Sequence, residues 1–152
     1  MAQYHALIEW SADPSQDVAK GQYSRAHNWT FDEGVTVPAS SSKHVVPLPW
    51  SAEDAVDPEE ALVASVSSCH MLTFLYLAAK AGFPPASYSD AAVGTMAKGA
   101  DGRIQMTRVD LAPQITWQGA APDPATLEKL HHEAHEQCFI ANSVKFPIEV
   151  NP

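Results

Sequence analysis

Positive charge is scarce in this chain. Nine Lys and Arg stand against eighteen Asp and Glu, a formal net charge of −9. The basic patch that nucleic acid or an anionic membrane surface requires is therefore missing. Cysteine is scarcer still, at two in 152 residues, too few for a disulfide-built secreted scaffold. The most apolar stretch is interrupted by Ser65, Ser67, Ser68, His70 and Thr73, so no run is expected to span a membrane. The first ten residues, MAQYHALIEW, show neither a basic start nor a long apolar core, and no signal peptide is visible. These absences lead to the expectation of a cytoplasmic protein with reduced thiols and no nucleic-acid or membrane partner. What is present, 45% hydrophobic and 18% charged residues, fits an ordinary globular chain, one domain over 1–152 with a substantial core.

The chain is organised around residues 57–82, DPEEALVASVSSCHMLTFLYLAAKAG, which read as one long helix. Asp57 is placed to cap it, Pro58 suits the first helical position, and Glu60 completes a capping box. Gly82 followed by Phe83-Pro84-Pro85 is a stop signal. Leu62, Val66, Cys69, Leu72, Tyr76 and Ala79 recur at helical spacing, and with Ala61, Val63, Ala64, Leu75 and Leu77 they make the helix apolar nearly all round, as in a buried core helix.

Upstream, within the N-terminal strand region 1–56, alternation predicts a strand over 4–10 and a hairpin over 22–38 turning at Asp32-Glu33-Gly34. The Ser- and Pro-rich segment 38–56 is a long connection of the kind that often carries function. Downstream, a hairpin within 86–118 is expected from strands 88–98 and 104–117, turning at Ala100-Asp101-Gly102. Asp123-Pro124 opens a second helix over 123–142, with Leu127, Leu130, Ala134 and Cys138 facing inward. Residues 144–150 close as a strand. The order implies an α+β fold with mostly antiparallel sheets and two central helices.

Each long helix thus contributes one cysteine to its inner side. If the helices pack together, Cys69 and Cys138 can meet and cycle between dithiol and disulfide. The alternative is that both are small buried apolar residues. Histidine offers a competing reading, in which His131, His135 and Cys138, joined by Cys69 or His70, form a mixed N/S zinc site. The tight paired spacing of zinc motifs is lacking, so His131 and His132 are expected on a solvated face, with no metal ligands assigned. Arg25, on an aromatic strand face beside His27 and Trp29, is either a surface residue or a cation placed to favour a thiolate.

The segments DPEEALVASVSSC and AHEQCFIANS, about seventy positions apart on two helices, resemble the OsmC/Ohr family (osmotically inducible protein C and organic hydroperoxide resistance proteins). The resemblance covers nearly the whole chain, since element order and length fit too. It implies that Cys69 is the peroxidatic cysteine and Cys138 the resolving one. It further matches Glu59 to a glutamate that positions an arginine, with Arg25 the best match to that arginine. The QYSRAHNW strand departs from the Gly-rich family version, and Phe139 stands where many relatives have Pro. The implied activity is thiol-dependent peroxidase reduction of organic hydroperoxides, with a dithiol of lipoyl type as reductant and no cofactor. A pocket of Leu62, Val66, Phe74 and Trp50 is expected to favour apolar peroxides. Glu59 and Cys69 lie ten residues apart, about 15 Å along one helix, so the resemblance implies an intertwined homodimer with the site completed at the interface. A non-catalytic stress or ligand-binding protein on the same fold remains the alternative.

Overall fold

A computed structural model describes all residues from Met1 to Pro152. The chain forms two compact units, Met1–Ala61 and Leu62–Pro152. Secondary structure is mixed α and β, with antiparallel pairing in every sheet and one parallel pair at its edge.

In the first unit, β1 (Ala6–Glu9), β2 (His27–Phe31) and β3 (Thr36–Ala39) form an antiparallel sheet in the order β1-β2-β3. The turn at Asp32–Gly34 places Glu33 and Gly34 at positive φ. The second strand is shorter than the alternation predicts. Residues 22–26 lie outside it, because Gln22 closes a small turn with Asp17 and the Arg25 N–H donates to the Trp50 carbonyl rather than to a neighbouring strand. The segment after β3 is long but tied at its base. The Ser40 N–H donates to the Val56 carbonyl, the Val56 N–H to the Pro38 carbonyl, and the Ala52 N–H to the buried Ser40 hydroxyl.

Helix α1 (Pro58–Lys80) starts and stops as its end residues dictate. The Glu60 N–H donates to the Asp57 carboxylate at 2.8 Å, and the Asp57 N–H returns to Glu60 Oε2 at 3.2 Å, a reciprocal capping box. At the other end Gly82 takes φ +88°. The N–H groups of Phe83 and Gly82 then reach the carbonyls of Ala78 and Ala79, a Schellman closure that a side chain at position 82 would strain. The burial is narrower than the sequence suggests: Val66, His70, Phe74 and Ala78 form the one buried stripe. Leu72 and Tyr76, expected inside, are 62% and 63% exposed. A second expectation also needs correction, since α1 is long and apolar enough to cross a membrane by length and composition. Here it packs its stripe against strands and the second helix.

The predicted downstream hairpin forms, with a register shift at Pro85/Ser87 and another at Thr95/Met96, but divides between two sheets. Its arms are β4 (Pro85–Asp90) and β5 (Val93–Lys98), then β6 (Ile104–Leu111) and β7 (Pro113–Trp117). β4 pairs with β7 and β5 with β6, all antiparallel. Two residues cause the break. Pro113 has no N–H to offer the ladder, and the Asp90 carboxylate takes the Ala112 N–H at 2.8 Å and the Ser67 hydroxyl at 2.5 Å, tying the kink to α1. β8 (Ile148–Val150), shorter than expected, adds to β6 in parallel. Where β5 passes α1, a Cβ on Gly94 would collide with Val63 and lie 2.8 Å from Met106 Sδ, so only glycine lets strand and helix approach this closely.

Helix α2 (Pro124–Gln137) is capped by Asp123, which accepts from the Thr126 N–H at 2.9 Å. It ends earlier than position 142, because Cys138 adopts an extended backbone as its C-cap and a short 3-10 turn, Ala141–Ser143, follows. Two core clusters hold this unit. Val66 packs with Met106, Val109 and Leu111, while Phe74 and Ala78 pack with Leu130 and Ala134.

Candidate active site

The α1–α2 contact brings the two cysteines together. Cys69 and Cys138 sulfurs lie 2.6 Å apart, with Cys138 in the donor position. They differ in setting. Cys138 is fully buried, whereas Cys69 is half-buried and the more accessible of the two. Burial first, then the hydrogen bond to Cys69, pushes the Cys138 thiol up to about 11, against a smaller opposing effect of the Ala141 N–H, 3.3 Å from its sulfur. Cys138 is therefore a thiol at neutral pH, and the accessible Cys69 sulfur accepts from it. Ending α2 at Cys138 matters for this arrangement, because it frees the backbone of residues 139–141 to fold around that sulfur.

One residue further along α1, His70 turns into the core and meets His131 of α2. Their Nε2 and Nδ1 atoms are 3.1 Å apart. Ring planes agree within 5° and centroids are 5.4 Å apart, longer than the N···N distance by about two ring radii. The rings therefore lie end to end, with one N–H donating to the other ring's lone pair, rather than face to face. Phe74 stacks on His131 at 4.2 Å and is near Tyr88 at 6.0 Å. Burial pulls both imidazoles down to about 4, aided at His70 by His135 and at His131 by His70, while Asp90 partly opposes this at His70. Both are neutral at pH 7. Burial, then the Asp90 charge, raises the Tyr88 phenol.

This corrects the expectation that His131 lies on a solvated face. His132 does, reaching Glu136 at 3.4 Å, but His131 is buried. The zinc arrangement is not assembled either. No three His, Cys, Asp or Glu side chains converge in a metal-binding geometry, and the facing nitrogens of His70 and His131 are aimed at each other rather than at a common point.

Arg25 and Glu59 belong to the first unit, and the structure does not bring them together. The Arg25 guanidinium donates to the carbonyls of Gly21 at 2.8 Å and Tyr23 at 2.5 Å, and lies 3.6 Å over the Tyr23 ring. It precedes β2 instead of lying on a strand face. Glu59 is half-buried in the first turn of α1. Of the residues expected to line the apolar pocket, Val66 and Phe74 are solid core in separate clusters of the second unit. An open groove of 550 Å³ lies instead along Leu72, Thr73, Tyr76, Glu136, Gln137, Phe139 and Asn142. Phe139, beside Cys138, is 82% exposed on it.

Two features were missed by sequence reasoning, the histidine pair and the Asp90 brace. A spacing signal existed for the first: His70 falls four residues from both Val66 and Phe74, and His131 four after Leu127 and three before Ala134.

The comparisons agree with this architecture. The model of the family described as OsmC-like protein matches residues 51–152, and no curated protein matches. Among solved structures, an OsmC-like protein of unknown function from Vibrio cholerae is 48% identical, with a TM-score of 0.96 over 99% of both chains. An organic hydroperoxide resistance protein from Elizabethkingia anophelis, 18% identical over 99% of this chain and 98% of its own, has a TM-score of 0.67. The organic hydroperoxide resistance protein OhrB of Bacillus subtilis, 15% identical over 99% and 98%, has a TM-score of 0.66. At such identities the last two show a shared fold. With its family-model match, its two opposed cysteine-bearing helices and its divided hairpin, the chain belongs to the OsmC-like protein family.

Proposed function

We propose that this protein is a thiol-dependent peroxidase that reduces organic hydroperoxides by a dithiol–disulfide cycle at Cys69 and Cys138. The observation that carries this reading is the direct contact of the two sulfurs with unequal burial. The Cys69 thiolate attacks the distal peroxide oxygen. The O–O bond breaks, the alkoxide leaves and is protonated to the alcohol, and Cys69 becomes a sulfenic acid. Cys138 then attacks that sulfur, forming the disulfide and releasing water. An external dithiol, of lipoyl type, supplies two electrons and two protons to restore both thiols. The reducing cytoplasm suits this cycle.

The groove along Leu72, Tyr76 and Phe139 is assigned to the apolar part of the hydroperoxide. A homodimer completes the site. In its support, Leu72 and Tyr76 on α1 are exposed in the second unit, and Tyr4, Leu7, Ile8 and Phe31 are exposed in the first, large apolar side chains of the kind a partner surface covers. Arg25 and Glu59, which do not meet within one chain, are assigned to hold the thiolate and orient the peroxide across the subunit boundary.

Stopped-flow consumption of cumene hydroperoxide by the reduced protein tests this reading, with Cys69→Ser alongside. Wild type should consume one equivalent rapidly, and the variant at least about 10³-fold more slowly. Equal, slow consumption by both proteins would mean that the thiols are inert packing and the protein does not act on peroxides.

A further inference from the structure

Two histidines of the α1–α2 contact have no part in the thiol cycle. His70 Nε2 and His131 Nδ1 lie 3.1 Å apart, both rings are buried, and their planes agree within 5°. The outer atoms of the pair, His70 Nδ1 and His131 Nε2, are buried without a partner. A buried polar atom left unpaired is a net loss to stability. Two apolar side chains of similar size would fill the same space without that loss, and such replacements are often neutral or stabilising. Packing alone therefore does not account for the pair.

What the pair adds is direction. Its apolar surroundings are Phe74 and Ala78 of α1 against Leu130 and Ala134 of α2. Apolar contact is non-directional, and the two alanines offer little to interlock. Helix α1 also has other apolar faces to present, Leu72 and Tyr76 among them, and one residue of rotation turns it by about 100°. An N–H···N bond between two flat rings, by contrast, is satisfied in a narrow range of orientations. One buried polar contact of this kind can fix the register of packed helices.

The sulfurs need such a register. Cys69 is the residue before His70 on α1. Cys138 follows His131 by seven residues, about two turns, so ring and sulfur fall on the same side of α2 and about 10 Å apart along it. A tilt of about 10° around the histidine pair would carry the Cys138 sulfur by roughly 2 Å at that distance, enough to open a contact of 2.6 Å. Neither ring is hydrogen-bonded to a sulfur; the connection runs through the two helices themselves.

We propose that His70 and His131 are positioning residues for the redox pair, their hydrogen bond setting the rotation and crossing of α1 on α2 at which Cys69 and Cys138 meet. The bond thereby favours the Cys69–Cys138 disulfide over the dithiol. This rests on the redox pair of the reading above and is independent of which oxidant the pair meets.

The thiol–disulfide equilibrium of the full chain with glutathione tests it. Cys69 and Cys138 give two electrons and two protons to one glutathione disulfide, which leaves the intrachain disulfide and two glutathione thiols. His70→Leu combined with His131→Leu removes the hydrogen bond and both orphaned atoms together. Its urea midpoint should lie at or above that of wild type, while its equilibrium constant for the disulfide falls about tenfold, a reduction potential about 30 mV higher. The side-chain amide of Asn reaches the place of Nδ1, and that of Gln the place of Nε2. His131→Asn should therefore stay within about twofold of wild type, and His131→Gln should fall with the leucine pair. A lower urea midpoint with an unchanged equilibrium constant in the leucine variant would mean a merely structural pair and overturns the proposal. Should that variant not fold, the Asn and Gln variants decide, and equal constants in the two overturn it. A wild-type protein that forms no intrachain disulfide with glutathione removes the redox pair and the positioning role with it. A wild-type disulfide without consumption of cumene hydroperoxide removes the peroxide reading alone.

Discussion

Cys69–Cys138 and His70–His131 are made by the same two helices, one residue apart on α1, yet they are chemically opposite. A step of one residue turns a side chain by about 100° around a helix. That turn puts Cys69 at the rim, half exposed, and His70 wholly in the core beside Phe74. The first pair has a sulfur that solutes can reach. The second has orphaned nitrogens and no access. The contrast shows how one packed helix pair can hold a reagent and a buried polar device together: reactivity follows from the angular position on α1, not from the depth of the site along it.

The histidine side can be broken without touching the sulfurs. Phe74→Ala removes the ring stacked on His131 at 4.2 Å and empties the centre of one core cluster. It should lower stability by about 3–5 kcal/mol, read by urea denaturation, with the thiol contact kept in the fraction that remains folded.

Acid should act next most strongly. Both imidazoles are held at about 4, below the ordinary 6.5, so the unfolded chain binds more protons in that interval. The stability that the neutral pair provides is complete above pH 6.5 and is lost as the pH falls through 4. The expected loss is on the order of 2 kcal/mol. Denaturation midpoints at pH 7, 5.5 and 4 measure it, and His70→Phe combined with His131→Phe should flatten the slope.

The smallest effect is expected from a change that treats both pairs alike. Asp57→Ala removes one half of the capping box and should cost about 1 kcal/mol. Thermal melts should shift by a few degrees, with thiol reactivity and acid sensitivity unchanged.

These residues also show which parts of the structure could be read from sequence. End signals are local chemistry, and Asp57, Glu60, Gly82 and Asp123 act where they were expected to. Burial is not local. The repeat through Leu62, Cys69, Leu72 and Tyr76 is a genuine helical period, but α1 is apolar on most of its surface, and periodicity cannot choose among faces that all qualify. The structure chooses Val66, His70, Phe74 and Ala78 because β5, β6 and α2 lie there. The division of the long hairpin was hidden for a similar reason, since it depends on Asp90 reaching Ala112 across the sheet. Cys69 and Cys138 were legible as a pair from one cysteine per helix. His131 was not, because a histidine among His132, Glu133 and Glu136 looks solvated until the stripe of the opposing helix is known. Arg25 kept its place in the sequence motif, but its guanidinium is held by local carbonyls and Tyr23, an arrangement that no pattern of residue types encodes.

The central claim is that the sulfur contact is a working redox pair. Its most direct test is peptide mass mapping of the reduced protein after one equivalent of cumene hydroperoxide. The account predicts a single intrachain Cys69–Cys138 disulfide and no free thiol. Two cysteines still reduced, or Cys69 driven to sulfinic acid beside a free Cys138, would contradict it.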